Sequence, residues 1–297
     1  MSQHGAVSFA EANGLTFGYL QAGEPGQPLA VCLHGFPDSA GTWRQLLPEL
    51  ARRGYHAVAP FLRGYAPTQV PADGCYQLGA LVADVCALHE VLGGGPDAVL
   101  VGHDWGAMAA YGAITHAPQR WTRAVTLAVP PVASMAAAFF DYRQLRRSFY
   151  LFVFQTPLAE LALGNEDYAF VDGLWRDWSP GYDGAADVAA AKACLREPGS
   201  AAAAIGYYRA MFDASGHLPG YAAEQTAATG SHEAGCPVLY LHGATDGALG
   251  VELTGQAGQF LPPGSRMEIV PAAGHFLHLE RPELVNGLIT DWLMTRS

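Results

Sequence analysis

Basic residues are scarce in this chain. Its 297 residues include 16 lysines and arginines but 27 aspartates and glutamates, which gives a formal net charge of −11 at pH 7. Phosphate-rich surfaces repel a protein with such an excess of negative charge. We therefore expect neither a nucleic acid nor a membrane as its partner. The sequence is compatible with a monomer or a homodimer.

Paired cysteines, a leader segment and a long uninterrupted apolar run are also missing. The five cysteines have no paired spacing, so we expect reduced, buried thiols, no metal site and a cytoplasmic location. Residues 1–14 do not combine basic residues with an apolar run, so we expect no signal peptide. The longest apolar run, residues 124–140, contains Pro130-Pro131 and is too short to span a bilayer.

Short apolar runs typical of buried strands alternate with runs of helical spacing. Asn13-Gly14 separates the first two strands and is a strong hairpin signal. Such alternation predicts an α/β fold with a mostly parallel central sheet and helices on both faces. The predicted strands are residues 7–10, 15–22, 29–33, 56–60, 98–101, 124–129, 237–241 and 267–270, and the predicted helices between and after them are residues 42–53, 81–92, 106–116 and 282–295.

The alternation stops between residues 131 and 223, where no strand run occurs and aromatic residues are frequent. We interpret this region as an all-helical lid inserted between two strands, over the carboxyl ends of the sheet where ligands bind in α/β proteins. The predicted organisation is a first part of the core in residues 1–130, a lid in residues 131–225 and a second part of the core in residues 226–297.

The most informative motif is Gly102-His103-Asp104-Trp105-Gly106, between a predicted strand and a predicted helix. It is the Gly-x-Ser-x-Gly nucleophile elbow with aspartate in place of serine. The turn is so tight that only glycine fits on either side of its apex. A carboxylate is already ionised at neutral pH and needs no base to become a nucleophile. Asp104 is therefore the predicted nucleophile.

Two further residues follow predicted strands in the chain order nucleophile, acid, histidine. Asp246 comes after the strand at residues 237–241, and His275 comes after the strand at residues 267–270. A histidine oriented by a carboxylate and facing a nucleophile is the general geometry of a catalytic triad. We predict that Asp246 orients His275.

Three motifs together resemble the α/β-hydrolase-fold epoxide hydrolases over nearly the whole chain. They are His34-Gly35-Phe36-Pro37, the elbow around Asp104, and Gly274-His275-Phe276. The resemblance implies that Asp104 attacks a hydrophobic epoxide, that water activated by His275 hydrolyses the resulting ester, and that no cofactor takes part. It also implies a cis Phe36–Pro37 peptide and an oxyanion hole formed by the backbone N–H groups of Phe36 and Trp105.

The resemblance extends into the lid, where two tyrosines match the family's ring-opening acids. Tyr150 precedes the segment Phe154-Gln155-Thr156-Pro157, and Tyr208 is followed by Arg209. Tyrosine hydroxyls donate hydrogen bonds to the oxygen that leaves the opened ring. The predicted walls of the substrate pocket are His34, Pro37, Phe154 and Phe276.

Other functions remain open at this point. A haloalkane dehalogenase would use the same aspartate, but that family usually has a polar asparagine where Phe36 stands, and two tyrosines would have no role. A fluoroacetate dehalogenase would need arginines where Trp105 and Met108 stand. Asp104 disfavours a serine-type esterase. A non-catalytic ligand-binding protein of the same fold is the alternative from another class.

Overall fold

The computed structural model describes residues 6–135, 139–233 and 235–295. Eight strands of the described residues form one sheet in the order β1-β2-β4-β3-β5-β6-β7-β8. The pairs β1–β2 and β2–β4 are antiparallel. The remaining pairs, from β4–β3 across to β7–β8, are parallel. The prediction of a mostly parallel α/β sheet is confirmed. The strands are β1 Ser8–Ala12, β2 Leu15–Ala22, β3 Leu29–Leu33, β4 His56–Pro60, β5 Ala98–His103, β6 Trp121–Leu127, β7 Val238–Gly243 and β8 Arg266–Val270.

The middle of the sheet is covered on both faces. Every residue of β3, β4, β5 and β7 is buried, which explains why these strands have continuous apolar runs rather than alternating ones. The β1–β2 hairpin turns at Asn13 and Gly14, both with the positive φ that this turn requires.

Five helices cover the two faces of the sheet. Helices α2 (Leu78–Val91) and α3 (Trp105–His116) contribute to the apolar core on one face, whereas α1 (Leu46–Arg52) and α12 (Pro282–Met294) contribute to the core on the other. The short α11 (Leu277–Glu280) precedes α12. The single helix predicted for residues 42–53 is in fact a 3₁₀ turn, Ala40–Trp43, followed by α1.

Between β6 and β7 the described residues form helices and no strand. The helices are α4 Val132–Met135, α5 Tyr142–Arg147, α6 Phe149–Val153, α7 Ala159–Trp178, α8 Ala185–Arg196, α9 Ser200–Phe212 and α10 Ala222–Thr229. We call α4 to α9 the helical insertion. Helix α10 packs against α2 and α3, and the predicted boundary at residue 225 falls inside it. None of the described helices combines the length and apolar composition needed to cross a membrane.

Candidate active site

Asp104 occupies a backbone conformation that few non-glycine residues adopt. It lies between the last residue of β5 and the first residue of α3, with φ 53° and ψ −119°. The turn is closed by neighbouring glycines, because a Cβ on Gly102 would lie 2.2 Å from the carbonyl oxygen of Gly106 and a Cβ on Gly106 would lie 2.3 Å from that of Leu33. Such backbone strain is concentrated at functional positions, and here it aims the carboxylate away from the sheet.

The Asp104 carboxylate accepts a backbone hydrogen bond and stays ionised. Its Oδ1 accepts the N–H of Phe36 at 2.8 Å, and the Phe36–Pro37 peptide is cis, as predicted. Trp105 is the first residue of α3, and the N–H groups at a helix start have no partner within the helix. Burial tends to raise the pKa of Asp104, but His275, His103 and the Phe36 N–H outweigh it, so the net pKa is below its ordinary value.

His275 lies between two carboxylates and is completely buried. Its Nδ1 is 3.0 Å from Oδ2 of Asp246, and its Nε2 is 3.7 Å from Oδ2 of Asp104, which is too long for a hydrogen bond. Oδ1 of Asp246 accepts the N–H groups of Ala248 at 2.7 Å and Leu249 at 2.9 Å. The structure thus brings the three predicted triad residues together, with Asp246 fixed by backbone donors.

The two carboxylates control the charge of His275. Burial alone lowers the pKa of His275, but Asp246 and Asp104 raise it by more, to about 10. Burial likewise tends to raise the pKa of Asp246, and His275 lowers it below its ordinary value. In the free protein the three groups therefore form a cation between two anions, and a change in the charge of Asp104 must change the proton affinity of His275.

Tyr150 on α6 and Tyr208 on α9 meet at right angles above the nucleophile. Their ring centroids are 5.5 Å apart, and both side chains are buried. The Tyr208 hydroxyl has no hydrogen-bond partner among the described residues. Burial raises the pKa of both hydroxyls well above the ordinary value, and the nearby Asp104 carboxylate adds to the effect. Both tyrosines therefore keep their protons at neutral pH.

The hydroxyl of Tyr207, the residue before Tyr208 on α9, has a hydrogen-bond partner away from the cavity. It donates a hydrogen bond to the carbonyl oxygen of Arg63 at 2.8 Å. The adjacent residue on the helix, Tyr208, packs its ring against Phe36 and Trp105 at 5.2 Å each. The geometry therefore distinguishes the two residues, which the sequence alone could not do.

A cavity of about 420 Å³ connects the nucleophile to the helical insertion. Asp104, Trp105, Tyr150 and Tyr208 all line it. Most of its other walls are apolar. They include Met108, Val129, Val132, Met135, Phe139, Phe140, Leu151, Met211 and Phe212. A cavity of this size and composition is typical of a site for an apolar small molecule.

The four residues predicted as pocket walls are not among those that line this cavity. His34 uses both ring nitrogens on backbone groups, since Nδ1 bonds the carbonyl of Gly35 and Nε2 accepts the N–H of Leu62. Phe154 packs edge-on against Phe36 at 5.5 Å. Phe276 stacks on Trp175 at 3.5 Å, and Trp175 donates its indole N–H to the carbonyl of Pro37 at 2.8 Å.

The cavity walls that sequence reasoning missed come mainly from α4, α9 and the residues after α4. Two of these walls, Met135 on α4 and Met211 on α9, carry no motif, and apolar residues are ordinary in helices. Trp178 carries no motif either, yet its ring lies 5.0 Å from His275 and 5.1 Å from Tyr150. The frequent aromatic residues between residues 131 and 223 are the sequence signal that includes Phe139 and Trp178.

Within the described part of the chain, one buried group has a donor set that could hold a metal ion. Oxygen or nitrogen atoms of Asp38, His103 and His278 lie within 4.8 Å of one another. Burial raises the pKa of Asp38 to about 8, so a metal ion would have to displace a proton from this carboxyl in order to bind. We assign no metal to this group. His103 also contacts the triad, because its Nε2 bonds the carbonyl of His275 at 3.0 Å.

Comparisons with known proteins identify the family. The model of the alpha/beta hydrolase family matches residues 30–288. Epoxide hydrolase A of Mycobacterium tuberculosis is 31% identical, with 95% of each chain covered. Epoxide hydrolase 3 of Xenopus tropicalis is also 31% identical over 98% of this chain and 78% of the relative. The crystal structure of Epoxide Hydrolase A from Mycobacterium thermoresistibile superimposes with a TM-score of 0.80 at 27% identity, covering 97% of this chain and 98% of that chain.

Proposed function

Because this chain belongs to the α/β-hydrolase family and, within it, to the epoxide hydrolases, we propose that it opens a hydrophobic epoxide to a vicinal diol through a covalent ester on Asp104. The observation that carries the proposal is one cavity lined by a carboxylate at a nucleophile elbow and by two buried tyrosines. The nucleophile and the proton donors therefore face the same bound molecule.

In the first step, Oδ2 of Asp104 attacks a ring carbon of the epoxide. A carbon–oxygen bond to Asp104 forms as the ring carbon–oxygen bond breaks, and the ring oxygen takes a proton from Tyr150 or Tyr208. The Phe36 N–H remains on Oδ1, which becomes the carbonyl oxygen of the ester. The opened ring would otherwise leave as a strongly basic alkoxide, so a positioned proton donor lowers the barrier.

Esterification removes the negative charge of Asp104, and this single change affects the other groups of the site. Asp104 raises the pKa of both tyrosines and of His275 in the free protein. When the ester forms, the tyrosines become stronger acids just as the alkoxide appears. The pKa of His275 falls at the same time, so its proton can pass to the tyrosinate, which leaves the neutral imidazole that the next step needs.

In the second step, His275 removes a proton from water, and the water oxygen attacks the ester carbonyl carbon. Negative charge then develops on Oδ1 of Asp104, where the N–H groups of Phe36 and Trp105 stabilise it. Asp246 stabilises the imidazolium and keeps the ring oriented. Collapse of the intermediate breaks the bond between the Asp104 carbonyl carbon and the diol oxygen, and this oxygen takes the second proton of the attacking water. Asp104 is then a carboxylate and His275 is protonated, as both are in the free protein.

The tyrosines favour an epoxide over a haloalkane as substrate. A halide is a weak base and gains little from a proton donor, whereas an alkoxide leaving group requires one. The apolar wall of the cavity supports a hydrophobic substrate, and its volume suits a small aryl-bearing or alkyl-bearing epoxide.

A panel of three substrates tests the proposal. The purified protein is incubated with an aryl epoxide, a bromoalkane of similar size and an ester, and each product is quantified by chromatography. We expect diol from the epoxide, with much slower release of bromide and little hydrolysis of the ester. Preferential release of bromide would replace the proposal with a dehalogenase, and no turnover of any substrate would favour a ligand-binding protein.

A further inference from the structure

The end of helix α7 makes backbone contacts with the loops of both His275 and Asp246. We call residues 177–179 the docking segment. The carbonyl oxygen of Trp178 accepts two N–H groups, that of His275 at 3.0 Å and that of Gly247 at 3.1 Å. Gly247 directly follows Asp246, so one carbonyl of the helical insertion joins the loops of the acid and the base.

Ser179 adds side-chain contacts to the same loop and is 1% exposed. Its Oγ accepts the N–H of Phe276 at 3.1 Å and donates to Oε1 of Glu280 at 2.6 Å. Oε2 of Glu280 accepts the N–H of Gly274 at 2.8 Å. Backbone N–H groups on both sides of His275 are thus bonded, directly or through Glu280, to one serine hydroxyl.

Two glycines allow the docking segment to approach this closely. A Cβ on Gly247 would lie 1.9 Å from the carbonyl oxygen of Asp177, and a Cβ on Gly274 would lie 2.5 Å from that of Trp178. Neither glycine has a positive φ, so the backbone conformation does not require glycine at these positions. It is the close contact with the helical insertion that requires glycine at both positions.

We propose that Ser179 is a positioning residue for His275, through which the helical insertion sets the rate of ester hydrolysis. The proposal rests on the proposed function. Its physical basis is the position of His275, whose Nε2 lies 3.7 Å from Oδ2 of Asp104. This position must stay fixed if one water molecule is to contact both Nε2 and the ester carbon. Small displacements of such groups cost large factors in rate.

The two chemical steps give the proposal a selective readout. Attack by Asp104 does not use His275 as a base, whereas ester hydrolysis does. Replacing Ser179 by alanine should therefore slow ester hydrolysis about tenfold, the effect of about one hydrogen bond, and change the alkylation rate less than about twofold. The ester should consequently accumulate on the variant during turnover.

The experiment compares Ser179→Ala with Ser179→Thr and Ser134→Ala in single-turnover reactions with an aryl epoxide, following alkylation and ester hydrolysis by quench and intact mass. Ser179→Thr retains a hydroxyl and should recover most of the hydrolysis rate. Ser134 is another buried serine of the helical insertion, and its hydroxyl donates to the carbonyl of Pro131 at 2.7 Å rather than to a group in a triad loop. Ser134→Ala should leave the ratio of the two rates unchanged.

Several outcomes separate this proposal from the proposed function. If the wild-type protein forms diol without a covalent ester, the mechanism proposed above fails. If the wild-type protein forms the ester but Ser179→Ala has an unchanged ratio of rates, or loses both rates equally while folded, the positioning role is overturned. If Ser179→Ala does not fold, Glu280→Gln is the second variant. The Glu280 carboxylate accepts hydrogen bonds from Ser179 and Gly274, and an amide is a weaker acceptor, so Glu280→Gln must slow ester hydrolysis selectively.

Discussion

At the scale of single residues, the charge of Asp104 influences the proton affinity of three other catalytic candidates. It raises the pKa of Tyr150 and Tyr208, which burial raises as well. It also raises the pKa of His275, which burial alone would lower. The same carboxylate is held by the Phe36 N–H. In the proposed mechanism Asp104 loses its charge in the first step, and this loss prepares the second step without any movement of the chain.

The tyrosines should matter only for a basic leaving group. Tyr150→Phe and Tyr208→Phe should each slow alkylation of Asp104 by an epoxide, and the double variant should lose on the order of 10²–10⁴ in rate, the usual range for general acid catalysis. Any side activity on a haloalkane should be nearly unchanged. The measurement is the pre-steady-state alkylation rate for both substrate classes.

A matched control for these variants is Tyr168→Phe. Tyr168 lies in the helical insertion, and its hydroxyl donates to the carbonyl of Leu195 at 2.9 Å, so its removal should not affect ring opening. If the double variant of Tyr150 and Tyr208 alkylates Asp104 with an epoxide at the wild-type rate, both residues have only a packing role. A dehalogenase would then be the better assignment.

The pH dependence of ester hydrolysis follows from the electrostatics of His275. The carboxylate of Asp246 opposes the effect of burial and raises the pKa of His275. Since the neutral ring is the base, the hydrolysis rate should rise with pH. Asp246→Asn removes a negative charge, so the midpoint of the rise should move to lower pH, while the limiting rate at high pH should fall because the ring loses its orientation.

Single-turnover hydrolysis rates of the wild type and Asp246→Asn, measured from pH 5 to pH 10, test this prediction. Asp246 is expected to act on this step alone, so alkylation rates measured on the same samples serve as the reference. A midpoint that stays in place or moves to higher pH would show that Asp246 does not set the pKa of His275.

The sequence predicted the positions of the three candidate triad residues better than it predicted the cavity walls. Asp104, Asp246 and His275 follow strands of a parallel sheet, and the ends of such strands meet at one edge, so their proximity could be predicted from order alone. Met135 and Met211 line the cavity, but they come from helices whose relative placement depends on tertiary packing. No local pattern could bring them to the same site.

At the scale of elements, helices α6 and α9 are joined by the side chains of Gln155 and Arg209. The Gln155 amide donates to the carbonyls of Leu151 and Tyr208, each at 3.0 Å. Arg209 donates in the opposite direction, to the carbonyls of Phe154 at 3.1 Å and Thr156 at 3.3 Å. These hydrogen bonds fix the relative position of the segments that carry the two tyrosines.

Replacing Gln155 by leucine should therefore slow alkylation, because Tyr150 and Tyr208 lose their relative alignment. The expected loss is about tenfold, the effect of one or two hydrogen bonds, with ester hydrolysis nearly unchanged. In a Tyr208→Phe background the same substitution should have much less effect, and the pre-steady-state alkylation rates of the four proteins measure this coupling. Additive losses in the double variant would contradict it.

The strands were easier to predict than the helices of the insertion. Continuous apolar runs such as Leu29–Leu33 have one stable location, the middle of a sheet covered on both faces. Helix α7 is different, because residues 165–168 depart from helical geometry inside it. Helical periodicity does not record such an interruption, which tertiary contacts impose.

At the scale of the whole molecule, a buried ion pair links distant parts of the core. Arg63 follows β4 and bonds Asp84 on α2 through two hydrogen bonds of 2.6 Å each. Asp84 also accepts from Asn13 in the β1–β2 turn at 2.7 Å, and Arg63 is 1% exposed. The pair therefore ties the hairpin and α2 to the loop that follows β4.

Asp84→Ala should lower the free energy of unfolding by about 3–5 kcal/mol, because it leaves a buried guanidinium without its counter-charge. Urea denaturation followed by circular dichroism measures the change. Glu90→Ala is the control, since Glu90 pairs with Arg120 at the surface, and such pairs contribute little. Equal losses in the two variants would mean that burial does not determine the contribution of this pair.

The covalent ester on Asp104 is the central claim, and the origin of the oxygen in the diol tests it most directly. The protein is mixed in excess with an epoxide in ¹⁸O-labelled water for one turnover, and the diol and the peptide that contains Asp104 are examined by mass spectrometry. We predict an unlabelled first diol, whose new hydroxyl oxygen comes from Asp104, and ¹⁸O in the carboxylate of Asp104. Label in the first diol and none in Asp104 would show that water attacks the epoxide directly, which would contradict the proposed mechanism.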